Sequence, residues 1–184
     1  MRKLAFALAV TGALGFGSTV LPQQAAALET YEAQMAATDA ATQARSDVLN
    51  VFGPKVLKPG QYLWRDVPES AGTERVVVSL SDQMAYLYRG SELMAVTTVS
   101  TGKEGNDTPL GIFSVLDKKE IHHSRKYDNA PMPFMQRIDQ YGIALHAGFN
   151  PGRPASHGCI RLPAAFAKKL FSTTTLGTPV MIGA

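Results

Sequence analysis

The chain has 184 residues, of which 18 are Lys or Arg and 15 are Asp or Glu, so its net charge is only +3. A hydrophobic content of 45% suits a globular domain with a real core, and the small charge gives no reason to expect nucleic acid as a partner. Beyond the first residues, no stretch is apolar for long enough to span a membrane.

The first 27 residues have the three parts of a secretory signal peptide. A basic start (Arg2 and Lys3) precedes an apolar run over residues 4 to about 17, and an A-x-A cleavage pattern ends at Ala27. A membrane anchor is the alternative, but the run is shorter than the roughly 20 residues that a span needs. We therefore expect export and cleavage after Ala27, which leaves a nearly neutral chain of 157 residues (184 − 27) with no stable membrane span.

Residues 28–72 differ in composition from the rest of the chain. Residues 29–46 are rich in Ala, Thr, Gln, Asp and Glu, which is typical of a marginal helix or a flexible tether. Breaker signals follow at Gly53-Pro54 and at Lys58-Pro59-Gly60. We interpret residues 28–72 as a tether and lead-in, although the bulky residues at 62–64 favour packing against the domain.

From Thr73 onward, short β-branched or alternating runs are separated by turn signals, which predicts an antiparallel β sandwich or barrel. One late helix is predicted at Pro163–Phe171, with Pro163 suited to its first turn. The expected fold is therefore mainly β, in a domain over residues 73–184. The predicted strands are Arg75–Ser81, Met84–Arg89, Leu93–Ser100, Gly111–Asp117, Gly142–His146 and Thr178–Ile182.

Cys159 is the only cysteine of the chain. Exported proteins reach an oxidising space where thiols tend to pair, yet Cys159 has no partner in its own chain. A leftover cysteine of this kind is either an intermolecular link or a free reactive thiol. A buried apolar filler is the third interpretation, but the polar and glycine neighbours of Cys159 argue against it.

Two histidines lie close to this cysteine in the sequence. His146 ends a predicted strand thirteen residues before Cys159, and His157 lies two residues before it. Either histidine can serve as the base that a thiol nucleophile needs. Gly158 allows a sharp turn, so we expect the amides of Gly158 and Cys159 to be free as an oxyanion hole.

A zinc site is the alternative for the same group of residues, with His122 as a further ligand. The usual pairs C-x-x-C and H-E-x-x-H are missing from the sequence, which favours the nucleophile over the metal. We therefore predict no metal and no cofactor. His122 and His123 lie in a polar segment and are expected at the surface or the rim of a pocket.

The run Ser156-His-Gly-Cys-Ile-Arg161, with Leu-His146-Ala-Gly148 upstream, resembles the catalytic signature of the YkuD-type L,D-transpeptidases. The resemblance covers about Thr73 to Ile182 and implies the fold of that catalytic domain. Further likenesses are found in Val76–Tyr86, Val99–Gly102, Thr108–Phe113, Ala130–Phe134 and Gly177–Val180.

The resemblance implies a role for each matching residue. Cys159 would be the nucleophile, His146 the base, and the backbone carbonyl of Ala147 the third member of the triad. His157 would shape the pocket and assist proton transfer. Its neighbour Gly158 is counted with the catalytic residues. Arg161 would bind a substrate carboxylate, with pairing to a local acid as the alternative. Ser156 is counted with the substrate-binding residues, where it would brace the loop, and a plain turn serine is the alternative. Substrate contacts are also expected from Met132 and Phe134, in the segment that resembles the family's substrate-facing one.

The family's substrate is the stem peptide of peptidoglycan. The resemblance implies that Cys159 attacks the carbonyl between the L-centre of diaminopimelate and the fourth-position D-alanine. D-alanine leaves, and an amine of a neighbouring stem takes the acyl group to form a 3-3 cross-link. The resemblance also implies a periplasmic location.

Other acceptors and other classes of protein stay open. Water as acceptor would make the protein a carboxypeptidase or a cross-link hydrolase, and an amine on an outer-membrane protein or lipoprotein would attach that protein to the wall. Only nine residues separate His146 from Ser156, where many relatives have a longer insert beside the acceptor. A papain-like or NlpC-like peptidase would place its cysteine before its histidine, and a non-catalytic wall-binding module would leave Cys159 inert.

Overall fold

The structure is a computed structural model that describes residues 27–184. The predicted signal peptide lies outside this range except for Ala27, so its cleavage stays a prediction. Among the described residues, no helix combines the length and the apolar character that a membrane crossing requires.

The described residues form ten strands in two sheets, together with two α-helices and one 3₁₀ turn. The strands are β1 (Tyr62–Trp64), β2 (Glu74–Ser79), β3 (Met84–Arg89), β4 (Glu92–Thr98), β5 (Gly111–Ser114), β6 (Asp117–Lys119), β7 (Met135–Arg137), β8 (Ala144–Ala147), β9 (Ile160–Leu162) and β10 (Pro179–Gly183). The helices are α1 (Tyr31–Phe52) and α2 (Ala164–Thr173), and the 3₁₀ turn is Glu69–Ala71.

The first sheet has the order β1-β4-β3-β2-β10-β5, and the second has the order β6-β7-β8-β9. The prediction of a mainly β fold is confirmed, but the sheets are mixed because β10 runs parallel to β2 and β9 runs parallel to β8. The single strand predicted over residues 111–117 is two strands in different sheets. A parallel pair needs a long connection, and its partners therefore lie too far apart in the sequence to be recognised as neighbours.

The central strands of the first sheet are buried on both faces, which explains their nearly continuous apolar sequence. One face, including Val77 and Tyr88, packs with α1. The opposite face, including Val78 and Leu87, joins the main core with residues of the second sheet and of α2. The predicted late helix is present and buries Phe166 and Leu170 in that core.

Of the two possibilities given for residues 29–46, the structure has the helix and not the flexible tether: α1 is a 22-residue helix packed on the first sheet. The Thr30 hydroxyl caps it by accepting a hydrogen bond from the Ala33 amide at 3.3 Å. Alanines form the buried stripe of α1, and their small side chains allow the helix to approach β10 closely. A Cβ on Gly183 of β10 would lie 2.5 Å from the Ala37 carbonyl oxygen. The Tyr88 hydroxyl also donates to Asp47 at 2.7 Å, which ties the helix to β3. The buried members of the stripe are Ala33, Ala37, Ala41 and Ala44.

Candidate active site

The parallel pair β8–β9 brings the two parts of the predicted motif together. His146 lies opposite Arg161 in the register, and Leu145 lies opposite Ile160. Leu145 and Ile160 belong to the main core, so the alternate residues His146 and Arg161 face the other side of the sheet. Cys159 directly precedes β9 and lines the same cavity of about 1270 Å³ as these two residues.

His146 is buried, with 7% of its surface exposed, and its Nδ1 lies 2.8 Å from the Ala147 carbonyl oxygen. This carbonyl can only accept, so Nδ1 carries the proton and Nε2 is the free basic nitrogen of the neutral ring. Burial lowers the pKa of His146, the Ala147 carbonyl opposes that shift, and Arg161 adds to it. The ring is therefore neutral at physiological pH and available as a proton acceptor.

Cys159 is half-buried, and its Sγ donates to the Gly142 carbonyl oxygen at 3.7 Å. Burial raises the pKa of this thiol, and the carboxylate of Asp139 raises it further, while the Ala144 amide and Arg161 act in the opposite direction. The resting site therefore combines a neutral thiol with a neutral imidazole, and ionisation has to be coupled to a later step.

Gly158 has a backbone that other residues rarely adopt, with φ at +108°. A Cβ at this position would also lie 2.5 Å from the Ile143 side chain. The expectation of two free amides is wrong for Gly158, because its amide donates to the Ser156 hydroxyl at 3.1 Å. The amide of Cys159 has no acceptor among residues 27–184.

Ser156 lines the cavity, but both hydrogen bonds of its buried hydroxyl are made within the loop, so the structure has it as a brace. It is 1% exposed, and its hydroxyl accepts from Gly158 while it donates to the Cys159 carbonyl oxygen at 2.5 Å. Its backbone also bonds to Thr101 and Lys103, both at 3.0–3.1 Å. This network fixes the turn that carries Cys159.

His157 is exposed and lines the cavity, where its ring stacks on Tyr127 with centroids 4.4 Å apart. Tyr127 lies at the tip of a hairpin over residues 120–134, which extends between β6 and β7. His122 also lines the cavity, and its pKa is lowered by burial and then by Lys119. His123 is exposed and outside the cavity lining.

The predicted substrate contacts fall into different places. Arg161 lines the cavity, its aliphatic chain packs against Gly148, and within residues 27–184 it forms no ion pair. Met132 lines the cavity and packs in a small cluster with Cys159. Phe134 lies outside the cavity wall, and its ring packs on Phe171 with the centroids 5.9 Å apart. The backbone of Phe134 has a positive φ of 55° at this position.

The sequence reasoning missed three residues of this site. Asp139 organises the loop before β8, Gly142 accepts from the thiol, and Tyr127 covers His157. The Asp139-Gln-Tyr-Gly142 run is a turn signal that marks the loop but not its contact with Cys159. No set of three or more His, Cys, Asp or Glu side chains suited to a metal ion is found in the part of the chain that the structure describes.

Comparisons with known proteins identify the family of this chain. The model of the YkuD family, the L,D-transpeptidase catalytic domain, matches residues 73–182. The probable L,D-transpeptidase YbiS of Escherichia coli K12 is 25% identical over 133 residues, which cover 58% of this chain and 44% of that protein. The chain thus spans less than half the length of this curated relative.

Solved structures show the same fold. An L,D-transpeptidase from Stackebrandtia nassauensis has a TM-score of 0.57 at 24% identity, over 74% of this chain and 64% of that one. The structure of LdtMt1 in complex with imipenem has a TM-score of 0.54 at 25% identity, over 60% of this chain and 58% of that one. The described residues therefore have the architecture of these proteins.

Proposed function

We propose that this chain, which belongs to the YkuD family of L,D-transpeptidase catalytic domains, is a cysteine acyltransferase that acts on the tetrapeptide stems of peptidoglycan. The observation that supports this most is the placement of His146, with Nδ1 bound to the Ala147 carbonyl, on the strand beside Cys159. This arrangement leaves Nε2 as the base in the cavity that holds the thiol.

In the acylation step, His146 Nε2 takes the proton of the Cys159 thiol as Sγ attacks the carbonyl carbon before the fourth-position D-alanine. The C–N bond then breaks, the imidazolium gives its proton to the departing amine, and a thioester remains. In the second step an acceptor amine loses a proton to His146 and attacks the thioester. The C–S bond breaks, and the thiol recovers its proton.

The electrostatics of the site fit this sequence of steps. The raised pKa of Cys159 and the lowered pKa of His146 disfavour a resting ion pair, so charge develops as the substrate is attacked. The Ala147 carbonyl then stabilises the imidazolium through Nδ1–H. The Cys159 amide is the donor we assign to the developing oxyanion, worth roughly 10²–10³ in rate for a donor of this kind.

The charges on the cavity wall favour an acidic substrate such as a stem peptide. Arg161 has no carboxylate partner in residues 27–184, so its guanidinium can bind a substrate carboxylate, for which its planar fork is suited. Basic side chains exceed acidic ones on the wall. The basic ones are Lys119, Arg125, Lys126, Arg137 and Arg161, and the acidic ones are Asp117 and Asp128.

Analysis of the reaction products identifies the group that accepts the acyl chain. Incubation of the protein with a disaccharide tetrapeptide, followed by mass spectrometry, should release D-alanine and yield a 3-3 cross-linked dimer. Tripeptide alone would identify water as the acceptor and a carboxypeptidase, and cells can be profiled for stems attached to an outer-membrane protein or lipoprotein. Failure to consume tetrapeptide under all these conditions would contradict the proposal.

We also propose that the protein acts in the periplasm after removal of residues 1–27. The support is the basic start, apolar run and A-x-A pattern of the first residues. N-terminal sequencing of the protein from a periplasmic extract should begin at Leu28. A chain that retains Met1 or Arg2 and stays in the cytoplasmic fraction would contradict this location.

A further inference from the structure

A carboxylate outside the predicted catalytic set organises the loop beside Cys159. Residues 138–143 connect β7 to β8, and a backbone hydrogen bond of 2.9 Å joins the first and last of them. Within this loop Asp139 is 4% exposed, and its Oδ1 accepts from the amides of Tyr141, Gly142 and Ile143 at 2.9, 2.7 and 2.8 Å. Three donors on one buried oxygen hold the loop in a single shape.

Two consecutive residues of this loop contact the segment that carries the thiol. The carbonyl oxygen of Gly142 accepts from Cys159 Sγ at 3.7 Å. The side chain of Ile143 lies so close to Gly158 that a Cβ there would be 2.5 Å from its Cδ1. The shape of the loop therefore determines both the acceptor of the thiol and the space for the backbone before it.

We infer that Asp139 is a positioning residue for the Cys159 thiol, acting through the Gly142 carbonyl that holds the thiol and the Ile143 side chain that confines Gly158. The importance of this placement for acyl transfer rests on the proposed function. The placement itself is a property of the thiol and can be measured without peptidoglycan.

The charge of Asp139 acts in the same direction as its geometry. Its carboxylate raises the pKa of Cys159, after the larger effect of burial, and so favours the protonated thiol that can donate to the loop carbonyl. Arg161 on β9 lowers the pKa of this thiol. Asp139 on the loop and Arg161 on β9 are the charged groups that act on the pKa of the thiol. Further titratable or charged groups line the same cavity, among them His146 on β8, His157 before Cys159, Tyr141 on the loop, Arg137 on β7 and His122.

Two substitutions separate the geometry from the charge. Asp139→Asn keeps an Oδ1 acceptor and removes the charge, whereas Asp139→Ala removes both. The rate of Cys159 alkylation by iodoacetamide is measured against pH, and the rate of acylation by imipenem is measured at pH 7. Asp39→Asn, on the exposed part of α1, is the control and should change neither rate.

In Asp139→Asn we expect the alkylation midpoint to move to lower pH, with acylation within a few-fold of the native rate. In Asp139→Ala we expect acylation to fall by about 10²-fold, because the reacting thiol is displaced. Native acylation in Asp139→Ala, or a loss in Asp139→Asn as large as that in Asp139→Ala, would contradict the inference. If thermal unfolding shows that the alanine variant does not fold, acylation of the asparagine variant decides, because it keeps the accepting oxygen and should stay within a few-fold of the native rate. Loss of imipenem acylation in a folded Asp139→Ala variant of a protein that never consumes tetrapeptide would support the positioning role and contradict the proposed function.

Discussion

The two sheets of the molecule are stabilised in different ways. The first sheet is covered by α1 on one face and by the main core on the other, so its central strands are held by apolar packing. The second sheet packs only one face on that core, and its other face holds His146 and Arg161 in the cavity. The Asp139 carboxylate, which accepts from backbone amides, and the hydroxyls of Ser156 and Thr108, which donate to carbonyls, shape the loops around that face.

The difference indicates which substitutions should change chemistry and which should change stability. In the proposed function, residues of the second sheet and its loops position the reacting atoms, so small displacements there should be costly for the rate. Residues between α1 and the first sheet lie away from the cavity and contribute apolar contact area. The first group should affect acyl transfer per folded molecule, and the second should affect the free energy of unfolding.

The largest effect is expected from Cys159→Ala, which should abolish acyl transfer because it removes the atom that forms the thioester. The side chain is small and only half-buried, so the thermal unfolding temperature should stay close to the native value. Product analysis with a tetrapeptide substrate checks the first expectation and calorimetry the second. Persistent cross-linked or trimmed product would show that the thiol is not the nucleophile.

His146→Ala should reduce the acylation rate by roughly 10²–10⁴-fold, because it removes the base that accepts the thiol proton. His122→Ala, at the cavity wall, and His123→Ala, outside it, are matched controls with smaller expected losses. His157→Ala should cost an intermediate amount through the loss of its stacking on Tyr127. Single-turnover rates in which His157→Ala is slower than His146→Ala would reverse the assignment of the base.

The pH dependence of acylation follows from the same residue. Burial lowers the pKa of His146 below its ordinary value of about 6.5, so the neutral base persists as the pH falls through that value. The acylation rate should therefore begin to fall only at lower pH, when the imidazole is protonated. A rate that is already half-lost at pH 6.5 or above in the native protein would be inconsistent with this environment.

Ser156→Ala should have the next largest effect, about a 10-fold loss of acylation and a destabilisation of roughly 1–3 kcal/mol. The substitution leaves the buried amide of Gly158 and the Cys159 carbonyl without their shared partner. Denaturant unfolding and single-turnover acylation measure the two effects. Ser172→Ala, which removes an exposed hydroxyl on α2, is the control, and equal behaviour of the two variants would show that the brace is unimportant.

The smallest effect on chemistry is expected from Ala41→Leu in the buried stripe of α1. Ala41 is 2% exposed, so the larger side chain should overpack the helix against the first sheet and cost roughly 1–3 kcal/mol of stability. Acylation per folded molecule should be unchanged. Ala36→Leu on the exposed face of the same helix is the matched control, and a slower acylation in Ala41→Leu alone would link α1 to the site.

Much of the candidate site could be predicted from the sequence because its signals are local. The spacing of His146 and Cys159 and the strand before His146 placed both residues near one another, and the structure has them in one cavity. Strands β2, β3, β4 and β10 of the first sheet were also recognisable from their β-branched and alternating runs, whereas β1 lies in the segment predicted as a lead-in. The pairing of β2 with β10 was not recognisable, since these two strands are far apart in the chain.

Other features depend on contacts that a linear pattern does not contain. The stripe of α1 consists of alanines, whose weak apolar signal resembles that of a flexible segment although their small size permits close packing. The occupation of the Gly158 amide depends on where the Ser156 hydroxyl points. Phe134 turns toward Phe171 at a position with positive φ, and so leaves the cavity wall that its neighbour Met132 lines.

The central claim is that Cys159, with His146 as its base, accepts an acyl group. Intact-mass spectrometry of the folded, reduced protein after incubation with a carbapenem tests it most directly, since a strained lactam carbonyl replaces the peptide carbonyl. We expect one adduct, mapped to the peptide that contains Cys159, formed slowly in His146→Ala and absent in Cys159→Ala. An unmodified protein at millimolar carbapenem, or an adduct that persists in Cys159→Ala, would contradict the claim.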